Sequence, residues 1–353
     1  MSGETGKTVS VLTYAGLPEG TEDEKVLVTA LSSLLPTTHT VQTLPWDEDG
    51  WGQVEGDVGV LRTTWDYHTR LDEFLATLRA ASAKAILLNP IDVIAWNASK
   101  HTYLLSMGQH VPIPPTVVVA REEGEDGGWE AAFVRARNSI LDAQAERVGK
   151  TSMTATKVVL KPSVSASSRH TRVVGMEDDL GEIGAWLAER EAGGEIMLVQ
   201  PFLDEIVDHG EYSVFCINDV AEYGALKTPG GDDFRVQEEF GGNTEILLLD
   251  DLPNGLVGSA YSCLQAAHTL TGSEDPFLYA RVDGVIDRAT GSFVLTELEL
   301  IEPCMYTSKA AAVQEQNGVP QSLTAPYLLA SAIVDRIIPD DDDQDDDQGD
   351  DPQ

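Results

Sequence analysis

Tyr279-Ala-Arg-Val-Asp283, followed by Asp287-Arg-Ala-Thr-Gly291 and Val294-Leu-Thr-Glu-Leu-Glu-Leu300, is the stretch from which this sequence is best read. It predicts a hairpin of two strands, Leu278 to Ile286 and Ser292 to Leu300, joined by a polar turn. Side chains two apart on a strand share a face, so Arg281 goes with Asp283, and Glu297 with Glu299. Three carboxylates and one guanidinium thereby converge. Carboxylates crowded together repel unless a cation intervenes. An all-oxygen set without Cys or His suits Mg²⁺ or Mn²⁺ rather than zinc. The plainer alternative is a solvated edge hairpin carrying charges. The apolar Val282, Val285, Ile286, Leu298, Leu300 and Ile301 around the acids count against it. One irregularity stands out: strict alternation would put Leu295 on the carboxylate face.

The charge balance sharpens the search for anion-binding residues. The chain of 353 residues has 59 acidic and 23 basic side chains, a net charge of −36. Nine Asp lie in the run from Asp340 onward, and the remainder still carries −27. Such a surface repels nucleic acid and anionic membranes. The run has no apolar residue and reads as a disordered, solubilising tail. In so acidic a chain, clustered Lys and Arg mark places where an anion is held.

Lys161 ends an apolar strand and precedes Pro162 and a loop of small residues containing Ser163 and Ser165. Small residues let backbone N–H groups approach phosphates while an ammonium neutralises them. A surface lysine before a flexible loop fits equally well. Lys227 ends another strand, and a Gly-rich loop returns Arg235; a lone basic pair reads first as ordinary surface charge. Taken together, cations for phosphates and carboxylates for a divalent metal describe phosphoryl transfer. The P-loop motif, the kinase motifs and a GxGxxG after the first strand are all absent.

Strand-like runs at Thr8 to Tyr14, Thr40 to Leu44, Asp57 to Leu61 and Lys84 to Leu88 alternate with helical patterns over Glu22 to Leu35 and Leu71 to Ala83. That alternation implies a parallel sheet with crossover connections. Ligands meet such sheets at the carboxyl ends of strands, where Arg62-Thr-Thr-Trp-Asp-Tyr67 sits. Trp65 reads equally well as a core anchor. Farther on, a helix over about Trp129 to Val148 and strands at Lys157 to Pro162 and Ile196 to Gln200 precede a β-richer remainder. At 42% hydrophobic the chain has apolar material for several lobes. No run approaches the roughly 20 apolar residues of a membrane span. Cys216, Cys263 and Cys304 are too scattered for a metal site or a disulfide scaffold, and a reducing, cytoplasmic setting is expected.

The order of these residues resembles the ATP-grasp superfamily, in the branch of D-alanine:D-alanine ligase and glutathione synthetase, and most of all the D-cycloserine synthetase type. The resemblance runs from about Arg62 to Lys309. Its most specific stretches are Trp96-Asn-Ala-Ser-Lys100, Val158-Val-Leu-Lys-Pro162, Gln200-Pro-Phe202, Gly210-Glu-Tyr-Ser213, Ala280-Arg-Val-Asp283 and Glu297-Leu-Glu-Leu-Ile-Glu-Pro303. The fold it implies is α/β and α+β: a parallel-sheet lobe over 1–95, then two α+β lobes over 96–200 and 201–338 that clasp ATP, with the tail at 339–353.

By position, Lys100 and Lys161 would hold the α- and β-phosphates, with Ser163 and Ser165 in the adjoining loop. Gln200 and the backbone at Phe202 and Leu203 would meet the adenine, and Glu211 the ribose. Lys227 would reach ATP from the facing lobe, Arg281 would stabilise the transferred phosphoryl group, and Asp283, Glu297 and Glu299 would hold two Mg²⁺, with Mn²⁺ able to substitute. The family pattern usually ends Glu-x-Asn; Glu299 stands at its last position, as in the D-cycloserine synthetase type.

The implied activity is an ADP-forming ligase that activates a small carboxylate as an acyl phosphate and couples it to an amine. Arg235 is expected to act with Arg281 and Lys227 in catalysis, near where the acyl phosphate would form, and substrate contacts are expected from Gln237, Gly241, Gly242, Arg62, Trp65, Asp66 and Glu302. The alternatives are a small-molecule kinase and a catalytically silent nucleotide-binding regulator; retention of the acidic set weighs against the last. A homodimer is a family-level expectation.

Overall fold

A computed structural model describes residues 6–122, 128–148, 157–166, 168–231 and 234–338. The acidic run from Asp340 lies outside them, as do Ser167 of the Ser-rich loop and the two Asp residues before Phe234.

The N-terminal alternation forms a four-stranded parallel sheet of β1 (Thr8–Thr13), β2 (Thr40–Pro45), β3 (Val58–Leu61) and β4 (Ile86–Leu88), in the order β2-β1-β3-β4. Helices α1 (Glu22–Leu34) and α2 (Leu71–Ala81) are the crossovers. The α1 N-terminus is a capping box: Thr21 accepts from the Asp23 N–H, and buried Glu24 accepts from the Thr21 N–H at 2.8 Å. Two short helices follow, α3 (Ile91–Asn97) and α4 (Lys100–Met107).

The middle of the chain forms an antiparallel sheet of β5 (Val117–Val118), β6 (Lys157–Pro162), β7 (Arg172–Gly175) and β8 (Met197–Pro201), ordered β5-β8-β6-β7. Helices α5 (Gly128–Val148) and α6 (Leu180–Ala192) cover one face, with Phe133, Ile140, Ile183 and Leu187 packed on Val158 and Leu160. The two-residue period of β6 turns Val159 and Lys161 to the other face.

After α7 (Asp204–His209), a five-stranded antiparallel sheet is built from β9 (Glu211–Ile217), β10 (Val220–Thr228), β11 (Asn243–Leu247), β12 (Tyr279–Ile286) and β13 (Phe293–Glu299), ordered β11-β10-β9-β12-β13. Helix α8 (Leu256–Thr271) packs on one face with Tyr103, Leu104 and Met107 of α4. Helices α9 (Thr307–Gln316) and α10 (Ala325–Asp335) cover part of the other, and share their core with α1. Between these covers, the end of that face carrying the charged residues is open.

The predicted hairpin forms with one refinement. Asp283 pairs with Glu297 but Gly284 pairs with Leu295, so Thr296 is an extra, bulged residue. The bulge turns Leu295 back into the α8 core beside Leu298 while Glu297 and Glu299 stay on the other face. Gly284 permits it, since a Cβ there would sit 2.3 Å from the Val294 carbonyl oxygen. Strands β7 and β11 and helices α3, α4, α7, α9 and α10 are additions to the expected elements.

Candidate active site

The charged residues of the C-terminal sheet lie on one face because strand period and register agree. Tyr223, Ala225 and Lys227 alternate along β10, and Glu211, Ser213 and Phe215 along β9. On β12 the same face carries Tyr279, Arg281 and Asp283. Register then sets Lys227 opposite Glu211, Asp283 between Ser213 and Glu297, and Arg281 opposite Glu299. The face closest to α10 is apolar, and its charged end opens into a cleft of about 460 Å³.

Asp283 is the hub. It is 1% exposed. It accepts from Ser213 Oγ at 2.6 Å, Lys227 Nζ at 3.0 Å and Arg281 Nε at 2.8 Å. Burial pushes its carboxyl up, but Arg281 and Lys227 outweigh burial and hold it well below the usual carboxylate range. Burial pulls Lys227 down, and Asp283 more than restores it. Lys227 also faces Glu211 at 3.6 Å, whose other oxygen accepts from Thr296, the bulged residue, at 2.7 Å.

Lys100 reaches this sheet from α4. Asn97 donates to the Leu298 carbonyl at 2.9 Å and accepts from the Leu300 N–H at 2.8 Å, which docks the α3–α4 junction on the end of β13. Lys100 Nζ then lies 3.0 Å from Glu297. Burial opposes ionisation of Glu297, but Lys100 and Arg281 prevail and lower it. Glu299 has no such partner; burial and the neighbouring Glu297 raise it, while its Oε1 accepts from the Ile301 N–H at 3.0 Å. Glu302 is raised further, by burial and then by Glu299.

Across the cleft, burial and the charge of Lys100 pull Lys161 down to about 8. Ser165 lines the cleft, and its carbonyl accepts from Lys100 at 3.3 Å. Ser163 does not line it. Its hydroxyl lies 2.7 Å from both Ser99 Oγ and His101 Nδ1, tying the loop to the start of α4. Val159, Phe202, Leu203, Ile206 and Phe234 make an apolar stretch of the lining. Gln200 lines it too, and donates to Thr116 at 2.7 Å. The Phe202 N–H is engaged by the Lys157 carbonyl, whereas the Leu203 N–H has no partner among the described residues.

The loop after β10 closes another side. Arg235 stacks 3.5 Å from the Phe240 ring centroid and lines the cleft with Gln237, which reaches over to donate to Ser168 at 2.9 Å. Gly241 and Gly242 are not in the lining. Gly241 takes φ +85°, and a Cβ on Gly242 would sit 2.2 Å from the Val236 carbonyl oxygen, so both shape the loop that presents Arg235 and Gln237.

Among the described residues of the N-terminal lobe, Trp65 and Tyr67 reach the cleft. Arg62 is 2% exposed, faces Glu24 at 3.4 Å and lies over the Tyr279 ring. Asp66 accepts from Trp46 Nε1 at 2.8 Å and pairs with Arg70 at 3.0 Å. Both are anchors behind the surface. Sequence reasoning had not singled out Tyr67, Ser213, Thr296 or Tyr306 as site residues. The break in alternation at Leu295 was the one available signal, for Thr296.

The carboxylates are oxygen donors of the kind that hold Mg²⁺. Asp283 and Glu297 face cations, and no group of three or more His, Cys, Asp or Glu side chains is arranged around a metal position among the described residues. Burial raises Glu299 and Glu302, and their crowding with Glu297 adds to it, a repulsion that a divalent cation would relieve.

Residues 9–89 match the family described as the N-terminal domain of the D-cycloserine synthetase DcsG. The cycloserine biosynthesis protein DcsG of Streptomyces lavendulae is 28% identical over 281 residues, covering 75% of this chain and 82% of that protein. The crystal structure of D-cycloserine synthetase DcsG superposes with a TM-score of 0.71 at 23% identity, over 94% of this chain and 100% of the other. The ATP-grasp ligase PsnB, complexed with a minimal precursor, Mg and ADP, superposes at 0.54 with 13% identity, over 93% and 98%. This chain has the ATP-grasp fold. Within that fold it resembles D-cycloserine synthetase in sequence as well as in architecture. No described helix is long and apolar enough to cross a membrane.

Proposed function

We propose that the protein is a Mg-ATP-dependent, ADP-forming ligase that activates a small, amino-acid-like carboxylate as an acyl phosphate and joins it to an amine or similar nucleophile. The observation that carries this is the two-sided cleft. Lys100 and Lys161 supply cations beside an apolar wall, and Lys227, Arg281 and four carboxylates stand on the facing sheet. The DcsG and PsnB likenesses support the same class.

In this reading the apolar stretch and the free Leu203 N–H take the adenine, Glu211 the ribose, and the two lysines with the Ser165 loop the phosphates. The γ-phosphate then points toward Arg281. The substrate carboxylate attacks it, ADP leaves, and the nucleophile displaces phosphate from the acyl phosphate. Asp283, Glu297 and Glu299 would hold Mg²⁺, which supplies charge neutralisation at the β- and γ-phosphates. Arg281, fixed by Asp283, faces charge that develops on the transferred group. In this reading the chain divides into lobes over 1–95, 96–200 and 201–338.

The test is ADP release with Mg-ATP and pools of amino acids and hydroxy acids, with and without added amines. ADP formation that needs both a carboxylate and a nucleophile is expected. Turnover with one compound alone is compatible only if product mass shows cyclisation; a stable phosphorylated product would make it a kinase.

A further inference from the structure

The loop from Ser163 to Thr171 contains no glycine, yet Ser165, Ala166, Ser168 and Thr171 of this loop line the cleft. Ser168 and His170 take φ +53° and +54°. The left-handed region suits glycine and is strained for a residue with a Cβ, so it persists only where neighbours hold it. The Thr171 N–H donates to the Ser168 carbonyl at 3.0 Å, which places His170 inside the turn that carries both of those cleft residues. Ser168 is held from the cleft side by Gln237. His170 is held from behind. Its Nδ1 lies 2.8 Å from Glu195 Oε1, and its Nε2 lies 3.0 Å from Arg190 Nη1. With the hydrogen on Nδ1, the ring donates to the carboxylate and accepts from the guanidinium, so both nitrogens are engaged. Arg190 stands in the last turn of α6 and Glu195 just before β8, where the Glu195 N–H donates to the Arg190 carbonyl at 3.0 Å. The two side chains are themselves 3.8 Å apart, and all three stand outside the cleft lining.

We propose that His170 is a positioning residue of the nucleotide site: gripped by Glu195 and Arg190 behind the cleft, it fixes the turn that sets Ser168 and Thr171 against the nucleotide phosphates. This rests on the nucleotide assignment made under the ligase function and adds the residue that shapes its phosphate wall. A loop without glycine, clamped at a left-handed turn, has fewer conformations to lose when phosphate binds. The clamp therefore strengthens nucleotide binding without touching the nucleotide.

The experiment measures affinity for ADP and for adenosine by calorimetry, in wild type, His170→Ala, His170→Gly, His170→Asn and Glu195→Ala. His170→Ala should weaken ADP binding by about tenfold or more, the loss expected when a binding group is left unpositioned. Adenosine, which has no phosphate to meet the loop, should bind as in wild type, and the KM for ATP should rise with kcat nearly unchanged. His170→Gly relieves the backbone but removes the clamp, so it should lose ADP affinity as well. His170→Asn tolerates the left-handed region and offers Glu195 an amide donor, and should recover part of the affinity. Glu195→Ala should reproduce the loss, and adding it to His170→Gly should cost little more, as for two members of one contact. ADP affinity in His170→Gly equal to wild type overturns the anchor, because backbone conformation alone would then account for His170. Equal losses for ADP and adenosine overturn it too, since they report a general loss of structure. Either result leaves the ligase function standing. Wild type that binds neither ADP nor adenosine removes the nucleotide site, and the ligase function and the anchor with it.

Discussion

Lys161 and Lys227 show how the same residue type is tuned in opposite directions within one cleft. Lys227 keeps its charge because Asp283 is 3.0 Å away. Removing its charge leaves buried Asp283 with Arg281 as its remaining cation and takes away the one that faces Glu211, and Lys227→Met should destabilise by about 1–3 kcal/mol in urea unfolding. Lys227→Met with Asp283→Asn should recover much of that loss, the non-additivity expected of a contacting pair. Lys161 has no carboxylate in contact and sits near 8, against an ordinary 10.5. Its proton is bound more weakly in the folded chain, so the stability penalty is complete below pH 8 and fades as pH rises toward 10.5. Phosphate binding needs the charged form, so nucleotide affinity should fall as pH rises through about 8. A pH series of ADP binding by calorimetry checks this, and Lys161→Arg should flatten the dependence. The residue types were legible because an acidic chain has few cations to assign. Their tuning was not, because it depends on which neighbours the fold brings within a few ångströms.

At the level of elements, the hairpin and the α3–α4 junction decide whether the cations meet the acids. Asn97 satisfies two backbone groups of the β13 end while buried, and Asn97→Ala leaves both unpaired. A cost of about 1–3 kcal/mol is expected from such a loss. Lys100 should be displaced with it, so the KM for ATP should rise more than the drop in melting temperature alone explains. Gly242→Ala tests the loop after β10. The added Cβ would meet a backbone oxygen at 2.2 Å, so the loop must shift and carry Arg235 and Gln237 with it. Turnover should fall by about tenfold or more, the sensitivity of a positioned contact, with circular dichroism unchanged. The hairpin itself was readable from period-two spacing, including the misfit at Leu295. The bulge that resolves the misfit was not, because it is set by the partner strand and by the room that Gly284 leaves. Strand β11 escaped because an edge strand with a mostly polar sequence has little apolar pattern to show. Helices α9 and α10 escaped for a different reason: no motif drew attention to the stretch beyond the site.

For the whole molecule, three sheets must meet for the cleft to exist. Tyr279, on the charged face of β12, donates to the Leu61 carbonyl at 2.6 Å and the Ile301 carbonyl at 2.9 Å. Asn89 at the end of β4 bonds the Tyr279 and Leu300 carbonyls. These bonds join the parallel sheet to the β12–β13 hairpin. With a net charge of −36, the molecule as a whole repels an anionic nucleotide that its cleft attracts. Added salt screens the long-range repulsion over about 8–10 Å. From 0.02 to 0.15 M salt the kcat/KM for ATP should therefore rise, or at least fail to fall; a steep fall would mean that the cleft's own field dominates at a distance. The order of motifs and the strand periods were enough to place the chain in the ATP-grasp fold and to nominate its cations and acids, because both are local properties written at fixed spacings. Which nominees share the cleft was a matter of long-range geometry. Arg62 and Asp66 lie beside Trp65 in sequence yet turn inward to Glu24 and to Trp46 and Arg70, because their partners come from distant segments.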